Sequence, residues 1–89
     1  MFVVHLYLTG SASPPSPADA HAVQDLIWAH AGPWHRLEHV LARCEPDGIG
    51  LVLYLSAPTA DRATEQAANL LAGVRGTGVL ARYTFPESG

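Results

Sequence analysis

The first eight positions after Met1 alternate. Phe2, Val4, Leu6 and Leu8 fall on one side, and Val3, His5, Tyr7 and Thr9 on the other. A period of two predicts a strand over 2–9. Gly10 to Ser16 is a breaker-rich loop that suits neither regular structure. A helix follows, with Ser16 as its cap, Pro17 at its first position and Asp19 three residues after the cap. Its buried stripe is Ala20, Val23, Ile27 and His30 or Ala31, and Gly32-Pro33 stops it.

The segment 34–44 has two readings. Trp34, Leu37, Leu41 and Cys44 sit at helical spacing, and as a strand the segment alternates less cleanly. The turn Pro46-Asp47-Gly48 favours the strand. Proline presets φ, aspartate bonds its own backbone and glycine accepts unusual φ, and such a turn joins paired strands. A strand over 36–44 is therefore expected, paired with one over 49–56. That second strand is the most apolar stretch of the chain, with Ile49, Leu51, Leu53 and Leu55 on one face and Gly50, Val52 and Tyr54 on the other.

A second helix is predicted over 58–72. Ala63, Ala67, Leu70, Leu71 and Val74 form its apolar stripe, opposite Asp61, Arg62, Glu65, Gln66 and Asn69. Gly73, Gly76 and Gly78 are expected to break the chain. A last strand, 79–85, should turn Val79, Ala81, Tyr83 and Phe85 inward and Leu80, Arg82 and Thr84 outward, ending at Pro86. The order is βαββαβ. It predicts an α+β, ferredoxin-like sandwich: one domain over 1–89, a four-stranded antiparallel sheet with both helices on one face and the first and third strands central.

Composition narrows the partners. The chain has 89 residues, a net charge of −3 and only 15% charged residues. The negative balance argues against nucleic acid, which calls for a clustered positive footprint. The low charge on so small a domain suggests that part of its surface is covered by another chain. All five basic residues are arginines, which points to a GC-rich bacterial genome. Cys44 alone allows neither an internal disulfide nor a cysteine-based zinc site, and nothing nearby activates its thiol. The apolar N-terminus lacks a basic region and alternates, so it reads as a strand and not a signal peptide. No run approaches the ~20 apolar residues of a membrane span. A cytoplasmic protein that binds no membrane is the expectation, and no cofactor motif is present.

Three constellations carry candidate chemistry. His35-Arg36-Leu37-Glu38-His39 matches H-x-x-E-H, an inverted zinc-protease motif. In a strand its histidines lie roughly 13 Å apart, too far to share a metal, so no metal site is expected. Asp47 to Tyr54 resembles the octapeptide of the RNA-recognition family at Gly48, Gly50, Val52 and Tyr54. It departs at Asp47, where that family has a basic residue, and at Ile49 and Leu51, where it has stacking aromatics. The match is read as shared fold geometry.

The third constellation is the open sheet face. It should carry His5, Tyr7, Val52, Tyr54 and Arg82, joined by His39 if Leu37, His39 and Leu41 point outward. These residues suit an interface, in which tyrosines supply area and the polar tips are satisfied. They also suit a small anionic or aromatic ligand with Arg82 as anion partner, or proton transfer with His5 or His39 as base. Two functions are weighed. The first is a small non-catalytic module, a homodimer through the open face, that binds a small molecule or a partner protein. The second is an enzyme of the dimeric α+β-barrel type, acting on a small aromatic or polyketide-like substrate by His-mediated proton transfer.

Overall fold

The strand after the Pro-Asp-Gly turn organises the molecule. β3 (Gly48–Leu55) lies between β1 (Phe2–Thr9) and β2 (Leu37–Glu45), both antiparallel to it, in the order β1-β3-β2. A computed structural model of the chain describes residues 1–9, 15–78 and 83–84. Two helices, α1 (Pro17–His30) and α2 (Ala60–Gly76), and one 3-10 turn (Pro33–His35) complete the described α+β fold.

β3 is central because both its faces are apolar. Ile49, Leu51, Leu53 and Leu55 are all buried and share one cluster with Val23 and Ile27 of α1 and Leu70 and Val74 of α2. Both helices therefore cover the same face of the sheet. The other face of β3, Gly50, Val52 and Tyr54, keeps intermediate exposure. Burying one leucine side chain contributes about 1.5–3 kcal/mol. The four apolar positions of β3 thus make a large local contribution to the core.

α1 begins as its sequence dictates. The Ser16 hydroxyl accepts from the Asp19 amide at 3.2 Å, and the Asp19 carboxylate accepts from the Ser16 amide at 2.8 Å, closing a capping box. Ala20, Val23 and Ile27 are buried as predicted, and His30 and Ala31 stay at the rim. Gln24 accepts from the Ala42 amide of β2 at 3.1 Å. A helix side chain thereby occupies a backbone donor on the edge strand, where a bare row of donors invites pairing with other chains.

The segment 34–44 divides. Its first residues form the 3-10 turn, and the strand begins at Leu37. Arg36, between them, takes a left-handed backbone at φ 54, ψ 39. A bulge follows: Leu37 pairs with Leu55, but His39, two residues on, pairs with the very next residue, Tyr54. An extra residue in one strand shifts the parity of everything beyond it. Leu37 consequently packs toward the core, while His39 and Leu41 turn to the open face. The condition that all three point outward is met at His39 and Leu41 and fails at Leu37.

Two further corrections concern α2. Gly73 does not break the helix, which continues to Gly76 and ends before Gly78 at φ 76. Gln66, assigned to the solvent side, is buried. Its amide donates to the carbonyls of His35 at 2.7 Å and Ser56 at 3.2 Å, so it ties the 3-10 turn to the end of β3. The apolar stripe Ala63, Ala67, Leu70, Leu71 and Val74 is buried throughout.

The expected strand 79–85 lies mostly outside the described residues. Of it, Tyr83 is buried in the core cluster and Thr84 is exposed, in line with their predicted directions. Thr84 and Thr9 exchange two backbone hydrogen bonds, 3.1 and 2.6 Å, as an antiparallel bridge.

Candidate functional site

Register assembles the open face row by row. Residues directly opposite in an antiparallel pair project to the same side. Val3, Tyr54 and His39 form one row, His5, Val52 and Leu41 the next, and Tyr7, Gly50 and Arg43 the third. Five of the predicted candidates, His5, Tyr7, His39, Val52 and Tyr54, thus share one surface. Arg82, the sixth, lies outside the described residues. The alternation in β1 and β3 revealed this grouping. Leu41 and Arg43 complete it only because the bulge resets β2, and nothing in the sequence marks that bulge.

The face is apolar at one end and in the middle, and charged at the other. Val3 and Leu41 are 47% and 41% exposed, high values for aliphatic residues inside a sheet. His39 lies in ring contact with Tyr54, centroids 5.9 Å apart. Its ring also lies 6.5 Å, centroid to centroid, from that of Trp28 of α1. Arg43, Glu45 and Asp47 gather at the hairpin end.

There the Tyr7 hydroxyl donates to the Asp47 carboxylate, joining β1 to the β2–β3 turn. Tyr7 also lies across Gly50. A side chain there would meet Tyr7 Cδ2 at 3.9 Å and Glu45 Oε1 at 3.7 Å, so both residues flank the bare backbone. The phenol is pushed up to about 12, chiefly by the hydrogen bond to Asp47 and then by burial and the Asp47 and Glu45 charges. Raised above its unfolded value near 10, the group stabilises the fold below that pH, and the contribution is lost as pH climbs through the folded value. Phenolate absorbance should show one tyrosine ionising near pH 12. In Asp47→Asn that late step should move down towards the ordinary range; an unchanged step would contradict the assignment.

The H-x-x-E-H histidines are not brought together. His35, the last residue of the 3-10 turn, is buried, and its Nδ1 accepts from the Gly32 amide at 2.9 Å. Desolvation holds its imidazole below the usual range, in keeping with a neutral acceptor. His39 belongs to the open face. Among the described residues, no group of three or more His, Cys, Asp or Glu side chains converges as a metal site.

The octapeptide match fares differently from its expectation. Ile49 and Leu51, at the stacking positions, are 0% and 1% exposed and face the helices. Bases stack on a sheet's open surface, so the two positions point to the wrong side. The likeness is one of letters, and not of geometry.

Sequence reasoning missed a second feature altogether. Between the 3-10 turn and α2 lies an open cleft of about 730 Å³, lined by Trp34, Arg36, Arg62, Glu65, Gln66 and Asn69 together with the Ser56-Ala57-Pro58 segment. Its residues are scattered along the chain, and no motif links them. No helix among the described residues is long and apolar enough to cross a membrane. Compared with known proteins, the chain matches no family model, no curated protein and no solved structure.

Proposed function

We propose that the chain is a small non-catalytic module that works as a homodimer, paired through the open face of a ferredoxin-like sheet. The observation that carries this reading is the exposed apolar set Val3 and Leu41 around Val52 and Tyr54. An antiparallel sheet with one face in water normally alternates towards polar residues there. A second copy is the commonest cover for such a face, and a twofold pairing uses the same patch on both partners. The tyrosines supply contact area, with Tyr7 already tied to Asp47 and Tyr54 packed on His39. The fourth strand belongs to the same proposal. The Thr9–Thr84 bridge supports the expected last strand, 79–85 (β4), beside β1 on the side away from β3, which gives the order β4-β1-β3-β2.

Sedimentation tests the pairing. The wild-type chain should run as a dimer at micromolar concentration. Val52→Asp, which plants a charge in the middle row, should release monomer with its helix content intact. A wild-type monomer at high micromolar concentration would refute the reading.

The enzyme of dimeric α+β-barrel type remains as a second reading because His5 and His39 share the face with both tyrosines. Two facing sheets would enclose a pocket, with a histidine as proton acceptor for a small aromatic substrate. His5→Gln and His39→Gln separate the two readings. A non-catalytic dimer should keep its partner-binding properties in both.

A further inference from the structure

We propose that the cleft between the 3-10 turn and α2 is a binding site for a small flat aromatic anion, its ring on Trp34 and its charge on Arg36. The cleft opens on the helix side of the sheet, away from the face assigned to pairing, so the proposal does not rest on the dimer.

Trp34 is held in place and yet presented. Its indole lies directly over Gly32, where any Cβ would come within 2.5 Å of the ring, and its centroid is 5.5 Å from that of His35. Even so, the residue is 73% exposed. A large aromatic is seldom left so open without a partner, because its burial is worth more than that of most side chains. A fixed, exposed indole is a stacking platform.

Arg36 carries the second argument. It is the one described non-glycine residue with positive φ, in a left-handed backbone that disfavours L side chains. The turn itself does not call for arginine. Its backbone bonds, amide to Pro33 at 3.3 Å and carbonyl from the Ser56 amide at 3.0 Å, are open to any residue, and glycine would adopt the conformation without strain. Among the described residues its guanidinium has no hydrogen bond or ion pair. Strain retained where a more comfortable residue would fit points to a role for the side chain.

The other lining groups agree. Among the described residues the Arg62 guanidinium is paired only with Glu65, at 3.5 Å and with both side chains more than half exposed, a weak pairing that a ligand anion can displace. Two arginines thus face one carboxylate in the cleft. The volume falls within the ~300–1,000 Å³ of small-molecule sites. Planar guanidinium groups suit carboxylate, sulfonate or phosphate and also stack on rings.

The probe is naphthalenesulfonate, titrated into isotope-labelled protein while the Trp34 indole and Arg36 guanidinium N–H signals are followed. Both should shift saturably. Naphthol, which has the ring without the charge, and methanesulfonate, which has the charge without the ring, should each bind about tenfold more weakly or worse. Arg36→Gly keeps the turn's backbone bonds and removes the strain, so its melting temperature should equal or exceed the parent's while binding is lost. Should that variant lose stability, Arg36→Asn, which also tolerates left-handed backbone, carries the same test. Shifts that do not saturate, that fall on the Val52 and Tyr54 amides, or that survive both arginine substitutions would overturn the proposal. Equal binding of naphthol or methanesulfonate would overturn it too. Sedimentation of Val52→Asp is a separate measurement, so pairing and ligand binding can fail independently.

Discussion

Gly48→Ala is expected to destabilise the fold by roughly 1–3 kcal/mol or more, the cost of forcing extra atoms into a packed interior. Gly48 pairs with Thr9 across the β1–β3 ladder, and a Cβ built on it would lie 1.9 Å from the Leu8 carbonyl oxygen and 3.0 Å from Tyr7 Cε1. The first of these is backbone and cannot swing aside. Accommodating the methyl means separating β1 from the start of β3, at the point where Tyr7 also reaches the turn. The companion change Gly73→Ala adds the same methyl near the C-terminal end of α2, where nothing lies within 4 Å. Alanine there should stabilise by about 0.5–1 kcal/mol, because glycine loses more backbone freedom in a helix. Denaturant unfolding of the two variants should therefore move in opposite directions. A Gly48→Ala midpoint equal to the parent's would show that the strands separate freely at this point.

The contrast between these two glycines also shows what the sequence can and cannot reveal. The turn before Gly48 was legible from Pro46 and Asp47, although Gly48 itself opens β3 without the unusual φ expected of it. Its close approach to Leu8 was not, since that depends on which strand comes to lie beside the turn. Gly73 looked like a breaker on propensity alone, and the buried stripe of Leu70, Leu71 and Val74 carried the helix through it. Tertiary burial outweighed a penalty of about 1 kcal/mol. The same limit governs the open face. Alternation of period two placed His5, Tyr7, Val52 and Tyr54 together correctly, for periodicity is a local property. The bulge after Leu37 inserts one residue, and no local signal foretells it, so the sequence left open which of Leu37, His39 and Leu41 point outward. Arg36 was invisible for the opposite reason. Its conformation contradicts its own preference, and a reading based on preference passes over such a residue.

Gln66→Leu should cost about 2–4 kcal/mol, although it replaces a polar group in an apolar surrounding with an apolar one. The helical pattern set Gln66 beside Glu65 and Asn69 on the wet side, yet its side chain crosses to two carbonyls, of His35 and Ser56. Neither carbonyl has another described donor. Leucine would fill the space and leave both oxygens without a partner, at about 1–3 kcal/mol for each buried group left unsatisfied. Asn69→Leu, on the exposed side of the same helix, should change stability by no more than about 0.5 kcal/mol. Gln66→Glu separates the hydrogen bonds from the volume. Its carboxylate would face two carbonyl oxygens in a buried place, which favours the protonated acid and raises its folded pKa. A raised acid contributes stability that is fully present below its unfolded value, near 4.3, and lost as pH rises through the folded one. Gln66→Glu should therefore be weakest near neutral pH and recover in part at acid pH, where the neutral acid can donate to one carbonyl again. Gln66→Leu should show no such recovery. Equal stability of Gln66→Leu and the parent across this range would mean that water reaches both carbonyls, and that the 3-10 turn is held to β3 by the Ser56–Arg36 backbone bond alone.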